Sequence, residues 1–327
     1  MMGLLAKLCV IAAASVLLVR YVDVGDTVGR LLRLNPPHAL ATAVLVFLTH
    51  WMNAAKLGLV LPERSVRTLF AATLATQAYT LMLPGQIAGE AAKAFRLGRG
   101  RAVDAGRIVS SVMFDKMTGV AAGLLVTLGG LASRPGLFGA QLAWLAGGGL
   151  LTLVLVAAGL SWEPACAALV ALLRGGDPAR MDLERSGRWG QGRRWIGDRL
   201  SHFLDTWRGH ATAPRLVALS LLYGVIGQAL AVASSMALGL GLGIDIGYAA
   251  WCVVIGALTV ILLAPITIGG LGLRELSLVG MLGLMGVPHD QALALAVMML
   301  AFQLAVATVG LLVDLLMPPD PVPDGRP

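Results

Sequence analysis

Apolar and polar positions fall into long blocks along this chain rather than alternating. Apolar runs lie near 3–19, 38–61, 66–83, 107–133, 137–160, 214–241, 248–264 and 291–316, and the run ending near 160 has an apolar continuation at 165–173. Runs of about 17–25 residues match a helix crossing a hydrocarbon core of roughly 30 Å. The short alternating segments of a membrane β-barrel are absent. The pattern predicts an all-α, polytopic membrane helix bundle with about eight apolar spans.

Two interruptions break this pattern. Leu83-Pro-Gly-Gln-Ile-Ala-Gly-Glu90 and Pro265-Ile-Thr-Ile-Gly-Gly-Leu-Gly-Leu-Arg-Glu275 each follow a long apolar run and open a shorter one, near 86–97 and 271–286. Setting Gly85 against Gly270 brings Glu90 onto Glu275. Irregular backbone at membrane depth survives only where it is buried in protein or lines a cavity. Broken helices at corresponding places in two halves point to a binding site at the interface of an inverted repeat. Two broken, re-entrant helix pairs are therefore expected, one in each half.

The longest polar stretch, 174–215, contains nine arginines. The excess of basic residues places it on the cytoplasmic side. Within it Trp189, Trp195, Ile196, Leu200, Phe203, Leu204 and Trp207 recur at roughly helical spacing, which predicts an amphipathic helix lying on the inner leaflet. If each broken segment returns to its own side, Lys93, Arg96, Arg99, Arg101 and Arg107 are also cytoplasmic, as are both termini. Arg20, Arg30 and Arg33 are the exception to that arrangement. The chain then reads as one integral membrane domain over 1–317, with a cytoplasmic amphipathic loop at 174–213 and a proline-rich disordered tail at 318–327.

Composition agrees. Hydrophobic residues make up 57% and charged residues 13%, about half the charged share of a soluble domain. The net charge of +7 is read as membrane topology and contact with anionic lipid, not as nucleic-acid binding. Cys9, Cys166 and Cys252 lie far apart in apolar surroundings, as small buried hydrophobes do. No metal site and no cofactor is expected. Neither glycine-rich segment has the form of a nucleotide loop.

At each break a proline or glycine stops one helix, and the next begins with unpaired amides and a favourable dipole for an anion. The candidate head-group residues are Pro84, Gly85, Gly89, Glu90 and Lys93 at the first break, and Gly269, Gly270, Gly272, Arg274 and Glu275 at the second. Asp115 and Lys116 lie in an apolar span. Ionisable groups at such positions cost about 2.5–3.5 kcal/mol each on insertion scales, so they face the bundle interior and pair. Two roles remain open for them, a head-group or proton site and a charge network that locks the broken helices. Further polar positions are His50, Asn53, Gln77, Tyr79, Gln228 and Gln303. No catalytic constellation is present, and an enzyme is not expected.

Leu83-Pro-Gly-x-x-x-Gly-Glu90 with Lys93 and Arg96, and Gly269-Gly-Leu-Gly-Leu-Arg-Glu275 with the later Leu284-x-Gly286-Val-Pro288, resemble the two signature segments of the lysylphosphatidylglycerol synthase transmembrane-region family. Asp115-Lys116 stands where that family often has an acidic–arginine pair, which keeps the charges but loses the arginine fork. The resemblance implies a multi-pass protein of the bacterial inner membrane. Such a protein would bind or translocate an anionic or aminoacylated phospholipid, or a polyprenyl-phosphate lipid. The alternative is a non-catalytic subunit presenting a lipid to a separate glycosyl- or aminoacyl-transferase.

Overall fold

The computed structural model describes residues 35–82, 86–98, 105–134, 136, 139–174, 188–262, 270 and 272–316. The apolar run near 3–19, Cys9, Pro84, Gly85, Gly269 and the tail at 318–327 lie outside them. The described residues form eleven helices and no strand, as the blockwise hydropathy predicts.

The helices are α1 (Pro36–Val60), α2 (Val66–Met82), α3 (Gln86–Gly98), α4 (Ala105–Ser133), α5 (Gly139–Ser161), α6 (Glu163–Arg174), α7 (Arg188–Ala211), α8 (Pro214–Gly241), α9 (Tyr248–Ile261), α10 (Leu273–Gly283) and α11 (His289–Leu316). Prolines set several starts. Pro36 and Pro214 open α1 and α8, where the missing N–H is no loss. Five helices, α1, α4, α5, α8 and α11, are long and apolar enough to cross a membrane. The apolar stretch at 165–173 does not continue α5. The chain breaks at Trp162, and α6 starts anew with Pro164 in its first turn.

The order long helix, short helix, short helix, long helix occurs twice, as α1–α4 and as α8–α11. Exchanging the halves leaves the three most extensive helix contacts in place, although the packing of α4 on α8 has no counterpart between α11 and α1. Helix α1 packs on its counterpart α8, α2 on α11, and α4 on α9. A matched pair of glycines makes the last two contacts close. A Cβ on Gly310 would overlap the backbone of Leu74, and one on Gly130 would stand 2.7 Å from Ala249 O and 2.9 Å from Cys252 Cβ. Asn53 of α1 lies beside Gly227 of α8. One cavity joins Thr42–His50 of α1 to Ala231–Leu238 of α8, and another joins Thr49–Lys56 to Gly224–Ala231. The two counterpart helices therefore run antiparallel.

Helices α2 and α3 form a hairpin. Arg64, just before α2, donates to the carbonyl of Leu97 at the end of α3 (2.5 Å). Near the turn, Gly89 has no room for a Cβ because Thr80 of α2 lies against it. At 1.5 Å per residue α2 is about 26 Å long and α3 about 20 Å, both short of a full bilayer. Each half has its own apolar core. One gathers Leu57, Leu69, Leu97 and Phe114 with Trp207, the other Trp251, Leu278, Leu282, Leu295 and Met298. Leu81, Leu300 and Leu304 join α2 to α11.

Helix α7 forms where the tryptophan spacing predicts it, and part of its apolar face packs on the protein. Leu204 and Trp207 are buried, with Trp207 stacked near Phe203 and edge-on to Phe114 of α4. These rings pack against α4 and α6, while Ile196 remains half exposed. Cys166 and Cys252 are both buried, in separate clusters.

Candidate functional site

Between the halves lies a charged cavity of about 220 Å³, walled by α1, α2, α3, α4, α8 and α9. Lys56 of α1 reaches across to α4. Its Nζ is 3.3 Å from Asp115 Oδ1 and donates to the Asp115 carbonyl at 2.7 Å. Both side chains are almost fully shielded, at 4% and 9% exposed. One turn on, Gly119 leaves the ammonium its space, since a Cβ there would stand 2.9 Å from Nζ.

On α3, Glu90 and Lys93 sit one turn apart and pair at 2.5 Å. The other Glu90 oxygen lies 3.7 Å from Lys116 Nζ, so Glu90 links the second arm of the hairpin to α4. The short helix α3 is thus held by α2 through packing and by α4 through charge. Asn53, Gln77 and Gln228 add amides to the walls, and Gln228 Nε2 is buried with no hydrogen-bond partner among the described residues. The wall threonines Thr49, Thr73, Thr76 and Thr259 donate to carbonyls four residues back in their own helices, at 2.7–2.8 Å. Their oxygens face the cavity as acceptors.

A second cavity of about 280 Å³ adjoins the first. Its walls are mainly apolar, among them Val46, Leu238, Ile255, Leu258, Met299 and Phe302, with His50, Arg274 and Gln303 as the larger polar groups. Thr49, Gln77, Ala231 and Thr259 line both cavities. A charged compartment and an apolar one therefore meet along one seam between α1, α2, α8 and α9. That arrangement suits a molecule with a charged end and a hydrocarbon end.

Of the predicted site residues, Glu90, Lys93, Asp115 and Lys116 come together in the charged cavity. Arg274 lies in the neighbouring one, so the charges of the two breaks occupy adjoining compartments rather than one. Gly89 belongs to the α2–α3 contact. Gly270 and Gly272 take φ of 78°, a conformation that suits glycine, and Gly272 caps α10. The amides of Arg274 and Leu276 donate to the carbonyls of Gly270 and Gly272. Those two donors are thus satisfied by the chain, and the guanidinium of Arg274 is the cationic group this segment gives the cavity wall. Arg274 Nη2 donates to Gln303 Oε1 at 2.5 Å. Neighbours on a helix point apart, and no ion pair to Glu275 joins it among the described residues. Glu275 does not line either cavity.

Sequence reasoning missed Lys56. Its signal was present, a single lysine inside the apolar run 38–61, but nothing in the spacing tied it to Asp115, 59 residues away. Asn53, Gln77 and Gln228 line the charged cavity and His50, Gln77 and Gln303 the apolar one, whereas Tyr79 lines neither.

Bundle and paired cavities together define a multi-pass α-helical membrane protein with an interior suited to an amphiphile. The family described as lysylphosphatidylglycerol synthase TM region matches residues 4–310, and the chain belongs to it. No curated protein and no solved structure matches the chain.

Proposed function

We propose that this protein is a lipid translocase that holds the head group of a phospholipid or polyprenyl-phosphate lipid in the charged cavity while the hydrocarbon part occupies the apolar one. The observation that carries this reading is the shared wall of Thr49, Gln77, Ala231 and Thr259, which lets one molecule reach both compartments. Membership of a family named for a lipid synthase supports a lipid as the substrate. The exchange of halves with α1 antiparallel to α8 supports an inverted repeat, whose axis would lie in the membrane plane. In that frame the α2–α3 hairpin enters from the cytoplasmic side and the α9–α10 pair from the other. The resemblance to bacterial proteins supports an inner-membrane location.

The test is leaflet exchange of fluorescent phospholipids in liposomes containing the purified protein, read by quenching from outside. Faster exchange than in protein-free liposomes is expected. Ala231→Phe, which puts a ring at the seam, should slow it. Binding of lipid without any exchange would refute translocation and leave the chain as a lipid-presenting subunit for a separate transferase.

A further inference from the structure

Helix α4 stands between the charged cavity and helix α7, which belongs to neither four-helix half. On the cavity side Asp115 meets Lys56 at 3.3 Å. About 100° around the same helix, Phe114 packs on α7, edge-on to Trp207 with ring centroids 5.7 Å apart and beside His210 at 5.4 Å. One turn earlier, Ser111 Oγ is 3.0 Å from His210 Nε2 and donates to the Val60 carbonyl of α1 at 3.5 Å. Ser111, Phe114 and Trp207 are all buried. Trp207 is itself anchored: its ring stacks on Phe203, and its Nε1 donates to the Ala157 carbonyl of α5 at 3.4 Å. Neither Trp207 nor His210 lines the cavity, yet both grip the residue next to Asp115. The ion pair is sensitive to that grip. A turn of α4 by about 20° carries a side-chain tip, about 5–6 Å from the helix axis, through about 2 Å. Such a shift parts two groups that meet at 3.3 Å.

We propose that Trp207 and His210 are positioning residues for the charged cavity: by holding Phe114 and Ser111 they fix the rotation of α4 at which Asp115 faces Lys56. The proposal rests on the lipid reading above for what the cavity binds, and adds to it a control exerted from outside the two halves. With both rings in place, α4 is clamped between α7 and α1, and the ion pair completes that wall of the cavity. With the clamp removed, α4 keeps its own hydrogen bonds and its place in the bundle but turns more freely. The pair then forms in only part of the population, head groups meet a wall of changing shape, and exchange slows while the bundle stays folded.

Two readouts on the full-length protein test it. In liposomes with fluorescent phosphatidylglycerol, Trp207→Ala should slow exchange by about tenfold, within the range that misplacing a functional group by an ångström or so brings. Trp207→Phe, which keeps a ring against Phe114, should restore most of the rate. Leu204→Ala also removes apolar bulk from α7, but Leu204 packs with Cys166 and Val170 of α6, so exchange should stay as in the wild type. The second readout is heat unfolding in detergent with no lipid added. The fall in midpoint caused by Trp207→Ala should be smaller in a Lys56→Met/Asp115→Asn background than in the wild type, because part of that fall is the loosened pair. His210→Ala takes its place in the same cycle if Trp207→Ala fails to fold. Equal falls in both backgrounds, or equal slowing by Leu204→Ala, would overturn the positioning role and leave both residues as packing alone. A wild type that shows the coupling on heating but exchanges no lipid would refute translocation and leave the positioning role standing.

Discussion

Replacing Lys56 with Met would keep the length and bulk of the side chain on α1 and remove its charge. Asp115, 9% exposed, would then lose the ammonium 3.3 Å from its carboxylate, and its own carbonyl would lose a donor at 2.7 Å. Leaving one member of a buried pair uncompensated costs about 3–5 kcal/mol, and the lost backbone contact adds roughly 1 kcal/mol. At about 2–4 °C per kcal/mol for chains of a few hundred residues, the unfolding midpoint should fall by on the order of 10 °C. Adding Asp115→Asn to Lys56→Met removes the stranded charge and should recover most of the loss, to within about 1–2 kcal/mol of the wild type. Tryptophan fluorescence on heating in detergent, run as a double-mutant cycle with Asp115→Asn alone, reads all four proteins. A Lys56→Met protein as stable as the wild type, or a double variant no better than the single, would refute this account of the pair.

Gly310→Ala and Gly130→Ala should each cost about 1–3 kcal/mol by forcing apart α2 from α11 and α9 from α4, whereas Gly280→Ala, which meets open space, should be neutral or mildly stabilising; equal effects at all three positions would argue against the matched contacts. His210, at the end of α7 and 3.0 Å from Ser111 Oγ, has its pKa lowered from the ordinary 6.5 by burial first and by the charge of Arg107 second, with Glu63 opposing. The unfolded chain therefore takes up the proton first, so this contribution to stability is full above about pH 6.5 and is lost as pH falls through the lower folded value. His210→Gln should flatten that part of the stability–pH curve, and an unchanged curve would remove the assignment. Cysteines placed at Gly209 and Leu284, with Cys9, Cys166 and Cys252 replaced, should label oppositely in intact cells with an impermeant thiol reagent, Leu284 reacting and Gly209 protected; equal labelling would overturn the proposed topology.

The helical bundle and both breaks were legible because proline and glycine interrupt apolar runs in only a few ways. Four of the charged residues of the cavity were legible for a related reason: Glu90, Lys93, Asp115 and Lys116 stand out where lipid disfavours charge. Their grouping was not. It depends on the α2–α3 hairpin lying against α4, a long-range contact that leaves no periodicity in the sequence. Lys56 escaped because one lysine in an apolar run reads equally well as a side chain snorkelling to the surface. The partner of Arg274 was not legible either: Gln303, 29 residues on, accepts from its guanidinium, and no spacing in the sequence announces that contact. The amphipathic pattern of α7 was legible, but the packing of Leu204 and Trp207 on the protein was not, since a hydrophobic stripe does not distinguish lipid from protein.

All five charged residues of the cavity, Lys56, Glu90, Lys93, Asp115 and Lys116, belong to the first 116 residues of the chain, while the second half supplies walls that are neutral, such as Gln228 and Thr259. During synthesis the first four-helix unit emerges with both its carboxylates and all three of its ammonium groups, so every partner of these ion pairs is made before α8 and α9. Both carboxylates thus have their ammonium partners within the same half of the chain. What the later helices complete is enclosure: they close the cavity over ion pairs whose partners all lie in the first half of the chain.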